Sequence, residues 1–219
     1  MFEKSFSFLE TLTQNNNRKW YHANKSFYNV ARQEFEHVTE ILLHEVSEFD
    51  KDVAGLTPKD CIFRIFRDVR FSADKSPYKT NFGTFLTRGG KKTGFAGYYL
   101  HIEPDNSFIA GGIHMPPSPV LKAIRSDIFE HIEEFKEIIQ FPELTKNFDG
   151  MFGEQLNNPP RGFPKDFPDI DLLKYKSYGF SKMKTNKEMM HADILEDIIA
   201  RFRSLFPFIL FLNEAIEGV

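Results

Sequence analysis

Apolar residues recur at helical spacing in four stretches of the chain and alternate with polar ones in its middle. Ser5 to Thr13 places Phe6, Leu9 and Leu12 on one face and predicts a short helix. The Asn15-Asn16-Asn17 cluster stops it and can cap the next helix. From Arg18 to Phe49, Ala31, Phe35, Val38, Leu42, Val46 and Phe49 recur at intervals of four and three, predicting one long helix with a core-facing stripe. Ser118-Pro119 opens a third helix that runs to about Gln140 on Leu121, Ile124, Ile128, Ile132, Phe135 and Ile139. Ile194, Ile198, Phe202, Leu205, Ile209, Leu212 and Ile216 mark a fourth, with Pro207 as a point of kinking.

Four strands are expected between the second and third helices: Cys61 to Arg70, Phe82 to Thr87, Phe95 to Ile102 and Ser107 to His114. The turns Arg88-Gly89-Gly90-Lys91-Lys92 and Glu103-Pro104-Asp105-Asn106 make the last three an antiparallel meander. If Glu103 opposes Asn106, then His101 opposes Phe108, Tyr99 opposes Ala110 and Gly97 opposes Gly112 on one face. Small residues on that face predict a shelf bordered by Tyr99, His101 and His114, while Leu100, Ile102, Ile109 and Ile113 pack under helices. Residues 141 to 170, rich in Pro, Gly and Asn, predict an irregular excursion, and a further strand is expected around Tyr175 to Phe180. The pattern is that of an α+β protein: an antiparallel meander of four or five strands, covered on one face by long helices and open on the other. A single domain over residues 1 to 219 is the expected organisation.

Composition adds three constraints. Hydrophobic residues make up 41% and charged residues 27%, which excludes wholesale disorder, and 25 Phe provide rings to fill a core. Cys61 is the sole cysteine, so neither an intrachain disulfide nor a thiol-based zinc cage can form, as suits a reducing compartment. The first ten residues interrupt their apolar positions with charge and lack a secretory core, and the longest apolar run, Leu205 to Leu212, is far too short to span a bilayer. A cytoplasmic protein with no membrane partner is expected.

Charge is unevenly placed. The formal net charge is −3, yet residues 61 to 92 hold eight basic side chains against Asp68 and Asp74, leaving 20 basic and 29 acidic residues elsewhere. Such a segment can focus anions at one place without making the whole protein a polyanion binder. In an extended chain, Arg64, Asp68 and Arg70 share one face with Ile62 and Phe66, and each guanidinium can give two parallel hydrogen bonds to a carboxylate or phosphate. Arg67 falls on the apolar face and calls for a buried partner. In the following loop, Ser72, Asp74, Ser76 and Asn81 can bond to nearby backbone and Pro77 fixes a dihedral, which makes Lys75 and Lys79 placed charges. Positive surroundings lower a carboxylate pKa, so Asp74 is better suited to orient its neighbours than to act as a base.

The run Phe63-Arg64-Ile65-Phe66-Arg67-Asp68, followed by Arg70-Phe71-Ser72 and Asp74-Lys75-Ser76-Pro77-Tyr78-Lys79, resembles the signature of the family called Domain of Unknown Function 2461. Similar features recur as Asn16-Asn17-Arg18-Lys19-Trp20-Tyr21, Gly97-Tyr98-Tyr99-Leu100, Pro160-Arg161-Gly162-Phe163 and Leu172-Leu173-Lys174, across nearly the full chain. Ala73 stands where the family pattern carries Lys. The resemblance implies a single-domain protein and brings no activity, cofactor or catalytic residue.

Other chemistry is thinly represented. The Gly89-Gly90 and Gly111-Gly112 pairs lack the spacing of phosphate-binding loops, the histidines assemble no metal motif, and no serine lies in a nucleophile elbow. Arg161, Lys174, Lys176 and Lys182 add charge near the late strand, with a solvated face as the default reading. No metal and no cofactor are therefore expected. The favoured reading is a site on the open sheet face for an anionic small molecule or phosphorylated group bearing a phosphate or carboxylate, with catalysis by electrostatic stabilisation left open and no nucleophile identified, drawing on Arg64, Asp68, Arg70, Asp74, Lys75, Tyr78, Lys79, Tyr99 and His101. Two alternatives stand beside it: a single-stranded nucleic-acid module, disfavoured by the acidic remainder, and a structural or interaction domain in which the Arg/Asp cluster pairs with itself.

Overall fold

A computed structural model describes residues 1–218. The chain opens with helix α1 (Glu3–Gln14), whose Phe6, Leu9 and Leu12 are buried as their spacing requires. Asn17 then caps α2 (Arg18–Ala23), its Oδ1 accepting from the Trp20 N–H at 2.9 Å. The long helix expected from Arg18 to Phe49 is divided. Asn24 leaves helical geometry and its amide donates to the Trp20 carbonyl at 2.9 Å, closing α2 before α3 (Lys25–Ser47) begins. A short helix α4 (Pro58–Cys61), started by a Thr57/Asp60 capping box, leads towards the sheet.

Five antiparallel strands form the sheet: β1 (Phe82–Thr87), β2 (Gly97–Ile102), β3 (Ser107–Ile113), β4 (Met151–Phe152) and β5 (Tyr178–Lys184), in the order β1-β2-β3-β5-β4. The meander register is the one that the Glu103–Asn106 turn predicts, with His101 opposite Phe108, Tyr99 opposite Ala110 and Gly97 opposite Gly112. The late strand starts at Tyr178 rather than Tyr175 and joins the sheet beside β3.

The strand expected over Cys61 to Arg70 is absent. Cys61 ends α4, and the following residues meet the sheet through one isolated bridge, Ile62 to Thr84, while Phe66 bridges to Tyr78 in the loop before β1. The segment turns to pair with the chain returning from its own loop, through Arg67 N–H to the Pro77 carbonyl at 3.0 Å and Lys79 N–H to the Ile65 carbonyl at 2.7 Å. An extended course preserves alternation without a ladder. Ile65 is buried and Arg67 and Val69 are half-buried, whereas Arg64, Phe66, Asp68 and Arg70 are exposed.

The third helix is also divided, at His131, into α5 (Ser118–Glu130) and α6 (Ile132–Ile139). Within the excursion lie α7 (Pro142–Asn147) and β4, followed by α8 (Ile170–Leu173); α9 (Asn186–Met189) precedes the last helix. That helix, α10 (Ile194–Glu214), continues through Pro207, and each of the seven residues of its predicted stripe is buried.

Phenylalanines join the helical layer to one face of the sheet. Phe35 of α3 stacks on Phe82 with centroids 5.4 Å apart, Phe202 of α10 meets Tyr98 at 5.2 Å, and Phe208 meets Phe180 edge-on at 5.0 Å. Asn213 adds a polar clasp, accepting from the Ala96 N–H at 2.8 Å and donating to its carbonyl at 3.3 Å. Leu100, Ile102, Ile109 and Ile113 are buried on this side. Across the sheet, Phe85, Tyr99, His101 and Phe108 keep partial exposure, Ala110 is buried and His114 lies exposed beyond the strand end.

Candidate functional site

Tyr78 and its neighbours fix the start of the site. The Asn16 side chain holds both backbone groups of Tyr78, donating to its carbonyl at 3.0 Å and accepting from its N–H at 3.2 Å. The Tyr78 ring is only 2% exposed and stacks on Tyr21 with centroids 4.1 Å apart. It belongs to the core rather than to the accessible surface expected of it. What this anchoring delivers is Lys79, whose ammonium is carried over the Phe63 ring at 5.4 Å.

Lys79 is half-buried, and among the described residues it makes no ion pair and no side-chain hydrogen bond. Burial pushes its pKa below the ordinary 10.5, and the Arg64 guanidinium lowers it further. Arg64 is exposed and likewise has no carboxylate partner among the described residues. Two cations thus stand near each other beside the β1 edge, neither in an ion pair among the described residues.

Next to them lies a polar chain on the open face. The Tyr99 hydroxyl and His101 Nδ1 are 2.9 Å apart, His101 Nε2 and the Glu103 carboxylate 3.3 Å, and the Asn81 amide approaches Nδ1 at 3.4 Å. Glu103 also accepts from Thr80 at 2.5 Å and from Asn106 at 2.8 Å. Burial would raise its pKa, but these bonds outweigh it and hold the carboxyl below its ordinary value. His101 is shifted down, chiefly by burial and further by the Lys79 charge, against the opposing pull of Glu103. Burial, with Glu103 nearby, pushes the Tyr99 hydroxyl up to about 12. A glycine makes the arrangement possible: a Cβ at Gly83 would lie 2.5 Å from the Tyr99 oxygen. The Phe108 ring backs the network by stacking on His101 at 4.5 Å.

The loop residues are engaged locally. Arg70 grips Asp68 through bonds of 2.6 to 3.2 Å, and Asp74 accepts from Arg67 and from the Ser76 hydroxyl at 2.7 Å. Arg67 therefore has an acidic partner, but Asp74 is 59% exposed, not the buried partner expected. Lys75 donates to the Val69 carbonyl at 3.0 Å. Both carboxyls are held below their ordinary values, Asp68 mainly by Arg70 and Asp74 mainly by Ser76. Asp68, Arg70, Asp74 and Lys75 shape this loop, while Arg64, Lys79, Tyr99 and His101 adjoin the β1 edge. At its tip Phe71 is 95% exposed. The late cations are paired elsewhere, Lys174 with Asp171, Lys176 with Glu154 and Lys182 with Asp149.

The profile of the conserved hypothetical protein family DUF2461 matches residues 4–211. The chain belongs to this family. In this DUF2461 member the match embraces every element from α1 to most of α10, including the Asn16 clasp and the Lys79 edge. No curated protein and no solved structure matches the chain. Among the described residues no helix is long and apolar enough to cross a membrane, and no group of three or more His, Cys, Asp or Glu could hold a metal ion.

Sequence reading passed over Asn16, Asn81 and Glu103 as site residues. Asn16 read as a helix stop and Glu103 as a turn residue, and both readings fit their local setting. Their second roles depend on partners far along the chain: Asn16 reaches Tyr78, and Glu103 receives Thr80. Only the placement of Asn81 beside Lys79 gave a local signal.

Proposed function

We propose that this protein binds a small ligand bearing a phosphate or carboxylate group at the β1 edge of the open sheet face. The observation that carries the reading is Lys79, a half-buried cation beside Arg64 with no acidic partner among the described residues. An anion entering there relieves the repulsion between the two charges and replaces the solvation that Lys79 has lost. Arg64 adds a fork suited to two oxygens of one group, and the Asn81 amide adds a neutral donor.

Binding suits the patch better than proton transfer. Both imidazole nitrogens of His101 are occupied within the protein, and the Tyr99 hydroxyl holds its proton well above neutrality. Cytoplasmic residence, supported by the lone buried thiol of Cys61, would give access to phosphorylated metabolites.

The test is a titration of the protein with inorganic phosphate and with citrate, followed by NMR at the His101 ring and at the Lys79 and Asn81 amides. Bound anion should offset the Lys79 charge and raise the His101 midpoint, and Lys79→Ala with Arg64→Ala should abolish the response. Absence of any change at these resonances, or an undiminished response in the double variant, would overturn the reading.

A further inference from the structure

A groove of about 820 Å³ opens between α3, the α4 to Phe66 segment and the β1–β2 turn. Its walls carry Arg32, Lys59, Arg64, Lys91 and Lys92, with Glu36 the one carboxylate among the lining residues. Two of these cations are committed to holding the walls. Arg32 pairs with Glu36 at 2.7 Å and points a second nitrogen at the Phe63 carbonyl, 3.4 Å away, while Lys91 donates to the Lys59 carbonyl at 2.6 Å. The turn lies close against α4, with the Lys91 N–H on the Asp60 carbonyl at 3.1 Å. Gly90 permits this approach, since it has φ +90° and a Cβ there would sit 3.2 Å from the same oxygen.

The remaining cations, Lys59, Arg64 and Lys92, are exposed and make no ion pair among the described residues. The rest of the lining is apolar and aromatic, from Ile62 and Ile65 to Phe63, Tyr28 and Phe66. Phe66 is 48% exposed, its buried edge resting on Tyr21 and Tyr78.

We propose that this groove is a second site, adjoining the Lys79 edge and sharing Arg64 with it, and that it takes a nucleoside di- or triphosphate. Its volume lies within the range of small-molecule sites and exceeds what a lone phosphate fills. Three exposed cations outside any ion pair among the described residues, grouped around one space, match a ligand with several negative charges. An exposed ring beside them supplies a stacking surface for a planar base, a contact that every nucleobase can make. The walls are preformed, because main-chain carbonyls already hold Arg32 and Lys91, so little ordering opposes binding.

The proposal is tested by calorimetric titration of the full chain with ADP, pyrophosphate, adenosine and a short single-stranded oligonucleotide, at low and at physiological salt. ADP should bind about tenfold or more tightly than pyrophosphate, reflecting the stacked base. Lys59→Ala with Lys92→Ala should weaken ADP by about tenfold, through charge lost from exposed positions. Phe66→Leu should reduce the preference for ADP over pyrophosphate while leaving pyrophosphate unchanged. Lys79→Ala should leave ADP binding intact, which separates this site from the one at the sheet edge. Equal binding of ADP and pyrophosphate, ADP binding indifferent to the two lysine substitutions, or binding of the oligonucleotide without ADP would each overturn it.

Discussion

The Tyr99 hydroxyl lies 2.9 Å from Nδ1 of His101, and the Asn81 amide, a donor, approaches the same nitrogen at 3.4 Å. The imidazole proton therefore resides on Nε2, where it faces Glu103.

His101 should titrate below the ordinary 6.5 of a free imidazole, chiefly because it is buried. The unfolded chain takes up this proton first as pH falls. The contribution of the neutral ring to stability is thus fully present above about 6.5 and is lost as pH drops through the depressed folded value. Lys79→Met should move the midpoint up by removing a neighbouring positive charge, and a pH series of imidazole NMR shifts reads both effects. Tyr99→Phe should cost about 1 kcal/mol in denaturant unfolding, the usual worth of one hydrogen bond.

Gly83→Ala should act on the same network without touching any of its members. The added methyl meets the Tyr99 oxygen and displaces the ring from His101. A loss of about 1 to 2 kcal/mol is expected, together with an altered His101 midpoint. A variant that keeps the wild-type midpoint would show that the ring accommodates the methyl in place.

Asn16→Ala should remove both bonds to the Tyr78 backbone. About 2 kcal/mol of stability is expected to go, or roughly 4 to 8 °C in Tm for a chain of this size. Binding of phosphate at Lys79 should weaken in parallel, because the loop that places the ammonium loosens. Thermal unfolding and a phosphate titration measure the two consequences separately.

Asp197 links β5 to α10. It receives Lys184 at 2.8 Å and Arg201 at 3.0 Å, and the Lys184 side chain is 8% exposed. Burial works to raise the Asp197 carboxyl, but its bonds with Arg201 and Lys184 hold it below the ordinary 3.8. Its stabilisation is present above that value and lost as pH falls through the depressed one. Asp197→Ala should cost about 2 kcal/mol, less than a fully buried pair because the aspartate is 34% exposed. Chemical denaturation near neutral pH and again in acid should show the gap between variant and parent closing.

Much of the fold was legible in periodicity. The stripes of α3 and α10 and the pairing of β2 with β3 follow from apolar spacing and from one four-residue turn, since both are local signals. Helix divisions at Asn24 and His131 were not, because the apolar spacing runs through both. The segment after Cys61 reads as a strand because alternation records an extended course, not the presence of a hydrogen-bonded neighbour. Within the candidate site, sequence placed Arg64, Lys79, Tyr99 and His101 in one region. It could not reveal that Tyr78 turns inward to Tyr21, which depends on packing between distant helices and loop. The groove cations Lys59 and Lys92 are 33 positions apart and meet only through the hairpin's return to α4.

The extended segment after Cys61 also covers part of a strand edge. A free β1 would offer a row of backbone donors and acceptors to any passing strand. Ile62 and Phe63 occupy part of that row, through the bridge to Thr84 and the bond to the Gly83 carbonyl, and then the chain departs with Arg64 exposed. At the opposite border β4 is two residues long. Part of the β1 border is thereby shielded by a charged, irregular segment, and the opposite border offers only a short strand to a further one.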